Sequence, residues 1–383
     1  MIHLRQGSHA AHLISVMSVV GEFPTSGLHL LGNERGMKYT VRCLAEPQLF
    51  HNPGTKEELT CRLFGISGHG ADKTIRFYHT GLPILDWIEP GARDYYLQSF
   101  YNHRFAGDAS HKDRNHRMAE AVAMFSRIGV EYRPYRLPPL QSQFILHSIP
   151  DTPSFYNAKE LKHVDKGELK KVSYSRILGL LFGGGNRYAV YNARNAAMKW
   201  AGQSEFRARS IVSEICRFNA GGRAVESAIL MGRSYDVALR ILGERDKKQR
   251  DDYRFDAVYK QVYFIPQTVD GMRQLRILLQ PDWRESILSL LFDSSTRSYD
   301  RGSFEYDAHD GDSYILTHFD GDIARLLRFR AACLDSHMKM QALCFPHQGR
   351  FLREFLPDGV RIRTVTLSDM EAALGLPKLK GDP

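Results

Sequence analysis

The sequence predicts an α/β protein of 383 residues, and two patterns support this prediction. In the first third, three helix-like segments precede two strand-like segments that are joined by a short Gly-rich turn. After residue 226, short apolar strands alternate with helices, which is typical of a mostly parallel sheet. The chain length suggests two or three domains, and we place them at 1–90, 91–225 and 226–383.

The first part has the element order of a winged helix-turn-helix. Helices are expected at Leu13–Phe23, Gly27–Leu31 and Glu34–Leu49, and the hairpin at Leu59–Ser67 and Lys73–Leu82. Folds of this kind place one helix in a DNA groove. Double-stranded DNA is therefore the first partner to consider.

The third of these helical segments combines an apolar stripe with a basic face. Met37, Val41 and Leu44 are spaced by four and three residues, so they can face a core. The residues expected to contact bases or phosphates are Arg35, Lys38, Tyr39 and Arg42 on this helix, and Arg62, Lys73 and Arg76 on the hairpin. An ordinary solvated helix face is the alternative interpretation.

The charge distribution favours the same partner. The chain carries a formal net charge of +9, of which residues 1–150 hold +3 and residues 151–230 hold +6, while the remainder is neutral. A basic front half suits a polyanion. Five cysteines in no paired motif indicate reduced thiols, and no segment is long and apolar enough to span a bilayer. We therefore expect a cytoplasmic protein without a membrane partner.

The middle part contains the pattern of a metal-dependent nuclease, which makes an α/β fold like that of restriction nucleases the expectation there. Pro150-Asp151 precedes Glu160-Leu161-Lys162, as in PD-(D/E)xK enzymes. Two carboxylates would hold Mg²⁺ and the lysine would position water, with Glu131 or Glu120 as a further carboxylate. If Phe155–Leu161 is a strand, Glu160 and Lys162 share a face. A nuclease-like fold without activity, and a chance match, both remain open.

The remaining elements follow from apolar periodicity and turn residues. Before residue 226 we expect helices at Pro90–Phe100, Lys112–Ile128, Ser173–Phe182 and Ser204–Arg217, and strands at Glu131–Tyr135 and Arg187–Asn192. After it we expect strands at Ser227–Met231, Gln261–Pro266, Ser313–His318, Ala342–Phe345 and Arg361–Thr366. Helices are expected between and after these strands, at Tyr235–Leu242, Met272–Leu279, Trp283–Phe292, Asp322–Leu334, Gly349–Leu356 and Ser368–Leu374.

Two clusters have the composition of metal sites. The first, which would suit zinc, consists of His103, His111, Asp113 and His116. The second, which would suit Mg²⁺, consists of Asp307, Asp310, Asp312, Asp320 and Asp322. Surface or phosphate-facing histidines are the simpler explanation of the first cluster, and acidic turns with glycine are usually only turns.

The first 135 residues resemble the replication-relaxation proteins of bacterial plasmids and integrative conjugative elements. The resemblance depends on the wing ending KTIRFYHTGLPIL with Thr80-Gly81, and on the helix NHRMAEAVAMF with its spacing from His116 to Val122. It implies a DNA-binding protein of a mobile element that acts in plasmid replication, DNA relaxation or conjugation. A further interpretation is an interaction scaffold whose C-terminal α/β part recruits a relaxase or other transfer protein, or a coupling ATPase. The part beyond residue 226 lies outside the resemblance.

Overall fold

A computed structural model describes residues 2–5, 7–52, 54–70, 73–100, 103, 105, 108–140, 152–164, 176–198, 203–219, 224–245, 255–298, 305–335 and 337–379. The chain divides into two compact units, Met1–Glu160 and Leu161–Leu379. The expected boundaries near residues 90 and 225 do not coincide with this division. Each unit is mixed α/β.

The first unit combines five helices with seven strands among the described residues. The helices are α1 (His9–Val20), α2 (Glu34–Leu44), α3 (Ile84–Ile88), α4 (Ala92–Ser99) and α5 (Ala109–Arg127), with 3₁₀ turns at Thr25–Leu30, His79–Gly81 and Pro134–Arg136. The strands are β1 (Ile2–His3), β2 (Glu22–Pro24), β3 (Gln48–His51), β4 (Glu58–Cys61), β5 (Phe64–Ser67), β6 (Thr74–Phe77) and β7 (Ser154–Asn157). A short helix α6 (Ala158–Val164) follows β7.

Helix α1 forms the centre of the first unit. Its residues Leu13, Ile14 and Met17 are fully buried, and it packs against α2, α3, α4 and α5. The antiparallel strands β2, β6 and β5 form one small sheet in the order β2-β6-β5. Strand β3 pairs with β1 in parallel and with β4 antiparallel, which gives a second small sheet.

The strands of the predicted hairpin in the first unit do not pair as predicted. The segment Leu59–Ser67 is interrupted at Arg62 and Leu63, so that β4 pairs with β3 and only β5 pairs with β6. The predicted strand Glu131–Tyr135 is wrong as well. There the chain makes one isolated bridge at Glu131 and then a 3₁₀ turn. Proline cannot donate a ladder hydrogen bond, and Pro134 opens this turn.

The second unit alternates strands and helices as expected. Its strands are β8 (Gly179–Gly183), β9 (Asn186–Arg194), β10 (Ser227–Gly232), β11 (Gln261–Pro266), β12 (Ala308–Asp310), β13 (Ser313–Thr317), β14 (Lys339–Cys344) and β15 (Arg361–Thr364). Its helices are α7 (Gln203–Asn219), α8 (Tyr235–Arg245), α9 (Phe255–Val258), α10 (Val269–Leu278), α11 (Trp283–Leu291), α12 (Ile323–Asp335), α13 (Gly349–Phe355) and α14 (Leu367–Ala373).

Parallel pairing dominates the sheets of the second unit. Strands β9, β10 and β11 are parallel neighbours, and β8 is antiparallel to β9. Strands β13, β14 and β15 are also parallel neighbours, with β12 antiparallel at the edge. The predicted mostly parallel arrangement is therefore confirmed, although it is distributed over two sheets.

The predicted helix Ser173–Phe182 is wrong for its described residues, because Gly179–Gly183 is strand β8. A two-residue turn joins β8 to β9, with Gly184 at φ +58° and Gly185 at φ +72°. Both residues need the left-handed conformation that glycine adopts without strain, which is the requirement of a type I′ hairpin turn. These glycines therefore connect two strands, whereas the predicted helix Ser173–Phe182 would have placed them between a helix and a strand.

Within the described ranges, no helix is both long enough and apolar enough to cross a membrane.

Candidate nucleic-acid interface

Helix α2 forms because its capping residue and the spacing of its apolar residues both favour a helix. The Asn33 side chain caps the start by accepting a hydrogen bond from the Gly36 N–H at 3.0 Å. Met37, Val41 and Leu44 are buried, as their spacing predicted. The helix ends at Leu44 rather than at Leu49, and strand β3 begins four residues later.

The opposite face of α2 presents its polar groups to solvent. The residues Arg35, Lys38, Tyr39 and Arg42 are all exposed. Tyr39 is 68% exposed, an unusual position for a large aromatic side chain. Lys38 pairs with Glu34 at 2.6 Å, but both are exposed, and such surface pairs contribute little stability. The ammonium group can therefore exchange this carboxylate for a phosphate at small cost.

The hairpin contributes further cationic and aromatic groups. The Leu63 N–H donates to the Leu44 carbonyl at 3.0 Å, which fixes the neighbouring Arg62 beside the end of α2. Arg62 lies over the Tyr78 ring, 5.4 Å from its centre, and donates to its hydroxyl at 3.3 Å. Arg62 and Tyr78 are both exposed, and so is Lys73, which directly precedes β6. The sequence did not single out Tyr78 as a candidate contact. Only its exposure in the structure identifies it.

Arg76 is engaged inside the first unit. It stands directly opposite Glu22 in the β2–β6 register and forms an ion pair with that fully buried carboxylate. Asn115 donates to the other Glu22 oxygen at 3.2 Å, and the guanidinium lies over the Phe105 ring at 4.7 Å. Among the residues proposed to contact DNA, Arg76 is therefore the one that already pairs with a buried carboxylate.

We expect Arg76→Ala to destabilise the protein, because it leaves the Glu22 carboxylate buried without its cation. Since Asn115 still donates to Glu22, we expect a loss of about 2–3 kcal/mol in the free energy of unfolding, below the usual cost of breaking a buried pair. Urea denaturation measures this loss. Lys73→Ala, three residues away and exposed, is the control and should change stability by less than about 0.5 kcal/mol. Equal stability of the two variants would contradict the buried-pair assignment.

The proposed nuclease residues Glu160 and Lys162 do not lie on the expected strand. Glu160 lies in helix α6, where Asn157 caps the first turn by accepting from the Lys159 and Glu160 N–H groups at 2.9 and 3.3 Å. Positions 160 and 162 of a helix do not share a face, so the strand argument for Glu160 and Lys162 is wrong. Asp151 lies outside the described residues.

Glu131 is held in an ion-pair network. Arg133 donates to its two oxygens at 2.7 and 2.5 Å, and also reaches the buried Glu89 at 3.2 Å. Burial acts to raise the pKa of Glu131, but the hydrogen bonds and charge of Arg133 outweigh it, so the pKa is lowered. Glu131 is therefore a carboxylate anion paired with arginine at neutral pH.

The expected histidine cluster is not assembled as a metal site. His116 is buried, with its Nε2 atom 3.0 Å from the Thr74 hydroxyl, whereas His111 pairs with Asp108 at the exposed start of α5. In the part of the chain that the structure describes, no group of three or more His, Cys, Asp or Glu side chains is arranged to hold a metal ion.

The acidic residues of the second unit separate into two groups. Asp310 and Asp312 are exposed, while Asp307, Asp320 and Asp322 are buried. Two arginines, Arg284 and Arg325, each donate to Asp307 at 2.7 Å. Burial and the nearby Asp320 raise the pKa of Asp322 to about 7. Asp307 is therefore the centre of a buried ion-pair network, whereas Asp322 accepts hydrogen bonds from the backbone N–H groups of Val262, Ala324 and Arg325. Among the described residues these carboxylates do not form the expected Mg²⁺ site.

No protein-family model, curated protein or solved structure matches this chain.

Proposed function

We propose that this protein binds duplex DNA through the exposed face of α2. The main support for the proposal is that one side of α2 is exposed and basic while its opposite side is buried. The exposed side carries Arg35, Lys38, Tyr39 and Arg42. Arginine and lysine neutralise phosphates, and arginine can also pair with guanine in the major groove.

The arrangement around α2 supports a winged helix-turn-helix. Helix α1, the 3₁₀ turn Thr25–Leu30 and helix α2 precede the hairpin β5–β6, and β2 pairs with β6. In this interpretation α2 is the recognition helix and β5–β6 is the wing. The hairpin β3–β4 is then an insertion between them. Arg62 and Lys73 would contact the DNA backbone from the wing side.

Salt dependence of binding tests the proposal directly. Each neutralised phosphate releases counterions, so log K should fall linearly with log salt concentration. With Arg35, Lys38, Arg42, Arg62 and Lys73 engaged, we expect a slope of about −4 to −5 for a fluorescent duplex of roughly two helical turns. Fluorescence anisotropy with the full chain measures it. Absence of salt-dependent duplex binding at low salt would refute the proposal.

The biological role we propose is that of a DNA-binding protein of a mobile element, acting in plasmid replication, DNA relaxation or conjugative transfer. The supporting observations are the exposed basic helix and the sequence resemblance of the first 135 residues. A relaxase or another transfer protein is the protein partner that such a role implies.

A metal-dependent nuclease is the second candidate, and one backbone feature favours it. The Glu131 N–H donates to the Pro153 carbonyl at 2.8 Å, and the Phe155 N–H donates to the Glu131 carbonyl at 2.7 Å. These bonds hold Glu131 beside the strand that begins three residues after Asp151. Two carboxylates from adjacent segments are the minimum that Mg²⁺-assisted cleavage needs. In this candidate Glu160 and Lys162 do not share a strand.

Plasmid cleavage separates the two candidates. If the nuclease candidate holds, supercoiled plasmid incubated with Mg²⁺ or Mn²⁺ should be nicked, and Asp151→Ala should lower the rate at least a hundredfold, because a metal-holding carboxylate is lost. Asp94→Ala, which removes an exposed carboxylate on α4, is the matched control. A wild-type chain that does not cleave, or cleavage that survives Asp151→Ala, eliminates the nuclease.

A further inference from the structure

Two buried carboxylates lie where strand β13 leads into helix α12 in the second unit. This aspartate pair, Asp320 and Asp322, is only 4% and 1% exposed, and the Asp322 N–H donates to the Asp320 carboxylate at 3.0 Å. Asp322 accepts at Oδ1 from the backbone N–H group of Val262 in β11 at 3.1 Å. The same oxygen accepts from the N–H groups of Ala324 and Arg325 in α12, at 3.0 and 3.1 Å. The pair therefore joins β11 to the first turn of α12.

The arginines of this cluster bind other carboxylates. Arg284 and Arg325 each donate to Asp307 at 2.7 Å. Arg325 also donates to Glu305 at 3.0 Å, as does Arg328 at 2.9 Å. Among the residues that the structure describes, neither member of the aspartate pair has an ion-pair partner. Three arginines thus face four carboxylates, the aspartate pair included, which leaves one negative charge uncompensated.

Two adjacent carboxylates in a buried position cannot both ionise without a large cost, because each loses its hydration and repels the other. Burial raises the pKa of both carboxyls. The negative charge of Asp320 raises that of Asp322 further, to about 7, although the backbone hydrogen bonds of Asp322 act in the opposite direction. Because the two groups interact strongly, the retained proton belongs to the pair rather than to one residue.

The surrounding groups keep a constant charge near neutral pH. Burial raises the pKa of the tyrosines around the pair, which therefore stay neutral: Tyr188 on β9, Tyr235 on α8 and Tyr263 on β11. Burial lowers the pKa of His318, which follows β13, to about 3, so this histidine is neutral as well. Asp307 remains an anion, because its two arginines hold its pKa well below the ordinary value. Near neutral pH, the aspartate pair is therefore where this cluster gains or loses a proton.

We propose that the aspartate pair is a pH-sensitive latch, which holds β11 and α12 together while it keeps one proton and loosens when that proton is released to solvent. A carboxyl group whose pKa is raised by folding adds stability below its unfolded-state pKa of about 4. That stability is lost as the pH rises through about 7, the pKa of Asp322 in the folded protein. The latch is thus closed in mildly acidic solution and loosened in mildly alkaline solution.

Amide hydrogen exchange of the full chain tests the latch, read by mass spectrometry and corrected for intrinsic exchange rates. Between about pH 6 and about pH 8, the protection of N–H groups in α12 and β11 should fall about tenfold further in the wild type than in Asp320→Asn. Asparagine keeps an oxygen that can accept from the Asp322 N–H, but it removes the second negative charge. The comparison also cancels the contribution of His318, whose lowered pKa gives a pH dependence of the opposite sign.

A control and a second measurement complete the test. Asp310→Asn removes an exposed carboxylate from the same unit and should keep the wild-type pH dependence. Equal pH dependence in the wild type and in Asp320→Asn would overturn the proposal. The infrared spectrum of the wild-type protein needs no variant: a protonated carboxyl band should be present at about pH 6 and lost by about pH 8. A spectrum without that band at about pH 6 would overturn the proposal as well.

Discussion

Replacing Lys38 and Arg42 together with alanine should weaken duplex DNA binding by about ten- to hundredfold near physiological salt, and the salt slope should become shallower by about 2. Both effects have one cause, because each lost cation contact leaves a phosphate whose counterions are no longer released on binding. Alanine is the best helix former, and both side chains are exposed, so α2 should remain folded. Anisotropy titrations at several salt concentrations measure both quantities.

A charge-matched control distinguishes a local contact from a general loss of positive charge. Arg361 and Arg363 are exposed on β15 in the second unit, so Arg361→Ala with Arg363→Ala removes the same net charge elsewhere. We expect this control to keep the wild-type slope. If both double variants shift the slope equally, the binding is diffuse and α2 is not the recognition helix.

The largest effect on stability should come from Asp307→Ala in the second unit. Asp307 is buried and its two oxygens accept hydrogen bonds from Arg284 and Arg325, and from the backbone and hydroxyl of Thr317, at 2.6 to 2.7 Å. Burial acts to raise its pKa, but Arg325 and Arg284 hold the pKa well below its ordinary value. The carboxylate is therefore charged at neutral pH and is the centre of the network.

Removing this carboxylate leaves the buried Arg325 and the half-buried Arg284 near one another without their shared partner. We expect a loss of about 3–5 kcal/mol in the free energy of unfolding, the usual cost of breaking a buried ion pair. In a unit of this size the melting temperature should fall by roughly 6–20 °C. Differential scanning calorimetry measures both quantities.

Two variants control for this result. Asp310→Ala removes an exposed carboxylate three residues away and should change the melting temperature by no more than about 2 °C. Asp307→Asn keeps an oxygen acceptor and should be less destabilising than Asp307→Ala. If Asp307→Ala unfolds within 2 °C of the wild type, the network contributes little, and Arg284 and Arg325 must be satisfied in another way.

The alternation of strands and helices in the second unit was predictable because strong local patterns specify it. Strand Gln261–Pro266 was predicted at its observed bounds, and the helix predicted at Trp283–Phe292 ends only one residue earlier. Apolar runs bounded by turn residues leave few alternatives when both faces of a sheet are covered. The expected helix Ser173–Phe182 failed because strand pairing with β9 overrides the local preference of a short apolar segment.

Local sequence features already favoured a helix at Glu160. Asn157 is a strong helix-capping residue, and Ala158-Lys159-Glu160-Leu161 are good helix formers. The match to the nuclease motif required a strand at Glu160, but the Asn157 cap starts a helix there. Local capping chemistry was therefore a better guide here than a short motif.

Local sequence patterns were sufficient to predict that α2 is amphipathic, that its basic residues face away from its apolar stripe, and that the C-terminal part is a mostly parallel α/β structure. These properties depend on residues within a few positions of one another, and their periodicity is visible in the chain. By contrast, the pairing of Arg76 with Glu22 and the joining of Arg284 to Arg325 by Asp307 became visible only in the folded protein. Such contacts join residues far apart in the chain, and because an ion pair requires only opposite charges brought together by packing, no sequence spacing indicates it.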